Sequence, residues 1–192
     1  MKNKFDVLIC DPPWKYNNIK TGGSHKSGAA QKYETMSYND LVNLDRYIVS
    51  VMKEDSYIFM WTTNPMLFPS LNLIGEYGYQ YKTCITWDKG KYGMGYWFRS
   101  QTEHCLFGIS GKIPALKSPF RNLIREGPRD HSQKPTAFYA MVNDLFGEKK
   151  ILELFATEQY PSDNWTCIGK EITGNPIEKD LEELIPSSKK DE

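Results

Sequence analysis

Apolar residues in this chain fall in short dense runs, separated by stretches that have either helical spacing or none. Phe5 to Cys10 (FDVLIC) is the first run, partly β-branched and stopped by Asp11-Pro12-Pro13, where the prolines remove the N–H donors that strand pairing needs. It predicts a buried strand with Asp11 at its C-terminal tip. Trp14 to Tyr33 follows without a hydrophobic period and contains Gly22, Gly23 and Gly28, so a long loop is expected. Ser37 and Asp40 form a capping-box-like start, with Met36 and Leu41 placed as a hydrophobic staple. Leu41, Leu44, Ile48, Val51 and Met52 then supply one helical face. Tyr57 to Trp61 predicts a strand, and Asn64-Pro65 a second helix, with Asn64 as N-cap, Pro65 at the first position and Pro69 within the first turns. Tyr79 to Trp87 and His104 to Ile109 read as strands joined by a loop from Asp88 to Ser100. Pro135 to Leu145 reads as a helix, and Ile151 to Phe155 and Trp165 to Ile168 as the last strands.

This alternation predicts a three-layer α/β domain with a mostly parallel sheet, whose ligands bind beyond the C-terminal ends of the strands. At 192 residues the chain suits one compact domain, expected over residues 1–172. The Lys- and Glu-rich tail, residues 173–192, is expected to add a short helix and a disordered end. Cys10, Cys84, Cys105 and Cys167 are far apart in apolar stretches, which suits free thiols and offers neither a disulfide framework nor a metal site. With no apolar run of membrane-spanning length and no signal-peptide pattern at the N-terminus, a cytoplasmic protein without a membrane partner is expected, as monomer or homodimer.

The formal net charge is zero, which argues against a protein that coats nucleic acid. The distribution is uneven: Lys82 to Lys134 holds 10 Lys and Arg against 4 Asp and Glu, Lys15 to Glu34 holds 4 against 1, and Glu171 to Glu192 holds 3 against 7. One such segment is what a solvated surface gives; two basic segments around one candidate site suit a phosphate backbone. Lys15, Lys20, Lys26, Lys89, Lys91 and Arg99 are the candidate phosphate contacts.

Asp11-Pro12-Pro13-Trp14 is the sharpest signal. Methylation of the 6-amino group of adenine must localise a lone pair that the ring delocalises, while a sulfonium methyl is held in line. Two acceptors for the amino N–H groups do this, and the Asp11 carboxylate with the Pro12 carbonyl forms such a pair. Trp14 is expected to stack on a base that is extruded or single-stranded. Methylation of the cytosine ring would instead need a thiolate beside the prolines. Cys10 precedes them as an apolar strand residue and reads as core.

FDVLICDPPW, YETMSYNDL, TEHCLFGISGK, DHSQKP, ILELFA and NWTCIGKE together resemble the adenine methyltransferase family that includes the catalytic subunit of the mRNA 6-methyladenosine writer and its bacterial and phage relatives. The resemblance implies a Rossmann-like, S-adenosylmethionine-dependent fold with permuted motif order: the catalytic strand comes first and the cofactor strand, Leu152 to Phe155, late. It places Asp11, Pro12, Pro13 and Trp14 as the catalytic core. Lys134, just before Pro135, matches the lysine that holds the cofactor's methionine carboxylate, and an ammionium at the start of a helix suits that task. Further cofactor contacts are expected from Asp11, Glu153, Phe155, Thr157, Gln159, Lys170 and Glu171, of which the last four or their neighbours depart from the writer's residues. His131 is a weaker candidate. The family's segment ahead of the catalytic strand, which helps hold the cofactor adenine, has no counterpart here, so another group is expected to take its place. Tyr33 to Met36 and Asn64-Pro65 are expected to wall the acceptor pocket.

The acceptor expected first is DNA, since no additional RNA-binding module is visible. RNA adenine, a protein glutamine amide, and a non-catalytic nucleic-acid-binding subunit are the alternatives.

Overall fold

The computed structural model describes residues 4–15, 35–93, 97–129 and 133–185. Strand β1 (Phe5–Cys10) lies near the middle of a seven-stranded sheet with β2 (Met52–Thr62), β3 (Gln80–Asp88), β4 (Thr102–Ser110), β5 (Leu123–Arg125), β6 (Ile151–Leu154) and β7 (Trp165–Ile168), in the order β5-β3-β4-β2-β1-β6-β7. Neighbours run parallel except at β4, which is antiparallel to both β2 and β3. The sheet is thus mostly parallel, with one reversed strand inside it.

Period-two burial divides the core between the two faces. Leu8, Cys10, Ile58, Met60, Leu106, Leu152 and Leu154 point to one side, where α1 (Tyr38–Val42), α2 (Asp45–Val51), α3 (Leu67–Glu76) and α6 (Ile177–Leu184) supply Leu41, Ile48, Leu73 and Leu181. Val7, Ile9, Phe59, Trp61, Cys105 and Ile151 point to the other, against Phe138, Val142 and Phe146 of α4 (Thr136–Phe146). A short α5 (Lys170–Thr173) follows β7.

The capping box is present: Asp40 N–H donates to Ser37 Oγ at 3.2 Å, and Ser37 N–H donates to Asp40 Oδ2 at 2.9 Å. The single helix expected after it is broken at Asn43 and Leu44 into α1 and α2, which bury the same side. Asn64 does not cap a helix; Thr63 precedes a 3-10 turn (Asn64–Met66) that leads into α3. The tail is not detached at its start, because α6 buries Ile177 and Leu181 in the core. Its Asp180 accepts from Thr173 Oγ1 (2.7 Å) and Asn175 Nδ2 (3.0 Å), and Tyr47 Oη of α2 donates to Glu182 (3.0 Å). Residues 186–192 lie outside the described residues. No helix among the described residues is long and apolar enough to cross a membrane.

Candidate active site

The chain leaves β1 for β2 on one side and β6 for β7 on the other, so the connections diverge between β1 and β6. Such a divergence opens a crevice beyond the strand tips, where α/β domains hold ligands. Cys10 pairs with Leu154 across it, which puts Asp11 and Phe155 at its two lips. Phe155 has φ 61, a left-handed conformation that a bulky side chain rarely adopts and that collects at functional sites. Behind it the tips of β6 and β7 are drawn together, with Ala156 N–H donating to Ile168 O at 3.0 Å. A Cβ on Gly169 would sit 2.8 Å from Ala156 O, so only glycine fits this approach.

Asp11 is half-buried and its Oδ2 lies 2.6 Å from the Lys134 ammonium. Lys134 also lies 3.5 Å from Glu103 Oε2, and Lys89 pairs with the other Glu103 oxygen. These four side chains form an alternating row, Asp11, Lys134, Glu103, Lys89, along the edge of the crevice. Trp61 and Trp87 floor it, with Lys134 Nζ 5.4 Å and Lys89 Nζ 4.8 Å from their ring centroids. Burial pushes the Asp11 carboxyl above its ordinary range, against the pull of Lys134. Burial acts the same way on Glu103, but the ammonium groups of Lys134 and Lys89 outweigh it and hold this carboxyl low. Burial would discharge Lys134; Asp11 and Glu103 overcome that and keep it charged.

The prolines shape the remaining acceptor. Trp14 N–H donates to Pro12 O at 2.9 Å, which leaves that carbonyl one lone pair for a ligand. Pro13 O accepts from Met36 N–H (2.8 Å) and Met36 O from Lys15 N–H (3.0 Å), clamping the turn to the residue that precedes the α1 cap. Trp14 itself is 6% exposed and stacks on Tyr38 at 6.5 Å. Trp14 thus packs in the core against Tyr38, and its N–H and the Met36 pairing hold the turn that carries Asp11 and Pro12.

Glu153 lies 7% exposed beneath the crevice, where Tyr139 Oη donates to Oε1 (2.8 Å) and Cys167 Sγ to Oε2 (3.6 Å). Its carboxyl is pushed up to about 7 by burial and by the nearby charges of Asp11 and Glu158, against the Tyr139 and Cys167 hydrogen bonds. A raised folded-state value favours the proton, so this group's contribution to stability is complete below the ordinary glutamate range and lost as pH rises through about 7. Glu153→Gln, which keeps an acceptor for Tyr139 and never ionises, is expected to gain about 3 kcal/mol on the wild type between pH 4.5 and pH 8. Urea midpoints at the two pH values check this; parallel pH profiles would remove the ionisable role.

Other expected contacts are distributed unevenly. Thr157 is half-buried after β6, whereas Gln159, Lys170 and Glu171 are exposed. The start of α4 does not offer free N–H groups beside Lys134, because Glu126 takes them: Thr136 N–H and Ala137 N–H donate to its carboxylate at 2.7 and 3.0 Å. Lys134 therefore acts as a point charge. Lys89 is turned inward to Glu103, whereas Lys15, Lys91 and Arg99 are exposed. Lys20, Lys26, Tyr33 and His131 lie outside the described residues. Asn64 faces the site edge by accepting at Oδ1 from His104 Nε2 (2.8 Å), whose other nitrogen lies 3.3 Å from Thr86 Oγ1.

Glu103, Tyr139 and Glu126 have no role in the sequence-based reading. Glu103 stands at the head of the quoted stretch TEHCLFGISGK, and the signal that finds it is the direction of β4. No cluster of His, Cys, Asp and Glu among the described residues is arranged to hold a metal ion. Cys10 and Cys105 are buried, and burial pushes both thiols well above their ordinary range, far from a thiolate nucleophile.

Known proteins resemble this chain over the same extent. It is 33% identical to the Type II methyltransferase M.MunI of Mycoplasma sp, covering 92% of this chain and 82% of that one. It is 26% identical to the N(6)-adenosine-methyltransferase MT-A70-like of Arabidopsis thaliana, covering 88% of this chain and 24% of the relative. With the N(6)-adenosine-methyltransferase catalytic subunit METTL3 of Homo sapiens the identity is 24%, over 89% of this chain and 29% of the relative. The chain thus spans about a quarter of these longer relatives. The MT-A70 pattern runs over residues 5–171. A match that takes in every strand of the sheet and both lips of the crevice makes the chain a member of the MT-A70 family.

Proposed function

We propose that the chain transfers a methyl group from S-adenosylmethionine to the 6-amino group of adenine in DNA. The observation that carries this reading is the pairing of two acceptors at the β1 tip, the Asp11 carboxylate and the remaining lone pair of the Pro12 carbonyl, beside a crevice lined by complementary charge. Each accepts one amino N–H, which draws the nitrogen lone pair out of the ring and toward the incoming carbon. Burial raises the proton affinity of Asp11, so it suits the proton that the methylated amine sheds.

The donor set of the crevice fits the cofactor. Lys134 matches its carboxylate, Asp11 its ammonium, and the exposed part of Phe155 its adenine ring; Thr157, Gln159, Lys170 and Glu171 remain as polar contacts from the loops beyond β6 and β7. When bound, the cofactor supplies an electrophilic methyl on a sulfonium. DNA is preferred to RNA because the identity to the Type II methyltransferase, 33%, exceeds the 24–26% shared with the adenosine methyltransferases.

The test is transfer of isotopically labelled methyl to matched DNA and RNA oligonucleotides, each with and without adenine, with the product base identified by mass spectrometry. Adenine-dependent labelling of DNA is expected. Labelling of RNA alone changes the acceptor, and labelling of neither, with cofactor bound, removes the proposal.

A further inference from the structure

The two most exposed large apolar side chains among the described residues are neighbours. Trp97 is 93% exposed and Phe98 89%, and Tyr92, at 73%, stands on the same connection between β3 and β4. The base of this connection is built. The ladder continues beyond the strands, with Lys89 N–H donating to Gln101 O (3.1 Å) and Gly93 N–H to Ser100 O (2.7 Å). Asp88 Oδ1 accepts from Gly90 N–H (3.0 Å) and Gln101 Nε2 (2.7 Å), and Gly90 at φ 67 makes the turn that brings its N–H round. The described flanks of the connection therefore rise from a fixed base, and that base adjoins the candidate site: Lys89 joins it to Glu103, Lys134 and Asp11.

Such aromatic exposure signals a partner, and the residues flanking the rings say which kind. Lys91 and Arg99 flank the aromatic positions, are exposed, and form no ion pair among the described residues. Arg121, exposed ahead of β5, adds a third such cation where β5 pairs with the end of β3. Exposed rings bracketed by uncommitted cations match a polymer that carries both flat bases and phosphates.

We propose that the hairpin is a nucleic-acid arm: Trp97 and Phe98 stack on bases beside the adenine held at Asp11, while Lys91 and Arg99 hold the intervening phosphates and Arg121 extends the track. This rests on the proposed methylation of adenine in nucleic acid.

The test uses the full chain, an adenine-containing DNA oligonucleotide, and the double variant W97A/F98A. Because both side chains stand in solvent, the thermal midpoint and cofactor affinity are expected to match the wild type. Kd for the oligonucleotide and KM for methylation are expected to rise about tenfold or more. Trp97→Tyr is expected to recover most of the loss, and Tyr81→Ala, an exposed aromatic at the opposite end of β3, to leave both constants unchanged. Wild-type methylation with unaltered Kd and KM in W97A/F98A overturns the arm while leaving the proposed function standing. A wild-type dimer that the double variant converts to monomer, by sedimentation, makes the hairpin a subunit contact and also overturns it. A wild type that neither binds nor methylates any oligonucleotide overturns both readings.

Discussion

Asp11→Asn is expected to cut methyl transfer by about three orders of magnitude while leaving the fold intact. Asparagine has the same shape, and Lys134 keeps Glu103 as a partner, so the buried ammonium does not become an orphan. What changes is the acceptor. A carboxylate accepts a charge-assisted hydrogen bond about twice as strong as a neutral one, and it strengthens further as positive charge develops on the amino nitrogen. The amide oxygen can accept the same N–H in the ground state but not follow that change. The loss should therefore appear in single-turnover rate far more than in oligonucleotide affinity, with the thermal midpoint within a few degrees of the wild type. Equal single-turnover rates for Asp11→Asn and wild type would show that Asp11 is not the acceptor.

The strands were legible because each is a dense apolar run with a proline, glycine or polar stop. Boundaries failed where charge hides pairing: Lys53, Glu54 and Asp55 are exposed, so β2 begins at Met52 and not at Tyr57. The three residues of β5, set among arginines, give no period at all. The break between α1 and α2 was hidden because the apolar spacing from Leu41 to Met52 serves two short helices on one face as well as it serves one.

At the site, Asp11 and Lys134 were visible from their neighbours in sequence, a strand stop and a proline at a helix start. Glu103 was not, because a carboxylate at the head of a strand normally reads as solvated. The chain carried a partial clue: the connection between β3 and β4 has no helical period to supply a crossover helix, which favours an antiparallel return of β4. That reversal brings the first residues of β4, not its last, to the edge where β1, β2 and β6 end. The burial of Trp14 was hidden for the converse reason. An aromatic after a rigid turn suits a base in composition, but burial is decided by Tyr38 and the core beneath, which lie well beyond it in sequence.

Lys134→Met is the second large effect, and it separates holding the site together from running it. The ammonium sits between two carboxylates, so removing it leaves Asp11 without a cation and Glu103 with Lys89 alone. Breaking a buried pair in this way is expected to cost about 3 kcal/mol at neutral pH. The sign of the pH dependence follows from the groups themselves. In the wild type the low Glu103 carboxyl contributes stability that is present above the ordinary glutamate range and lost on acidification. In the variant both carboxyls lose the ammonium that lowers them, so each charged form is less stabilised than in the wild type while the protonated forms are not. The gap between the proteins should therefore widen steadily from about pH 4 to pH 7, read from urea midpoints. Adding Glu103→Gln to Lys134→Met removes one stranded charge and is expected to restore part of the stability, a coupling that the double-mutant cycle measures directly. Methyl transfer and cofactor affinity should not return with it, because no cation then remains beside Asp11 to meet a carboxylate. Recovery of activity along with stability in the double variant would mean that Lys134 holds the edge in shape and takes no part in binding.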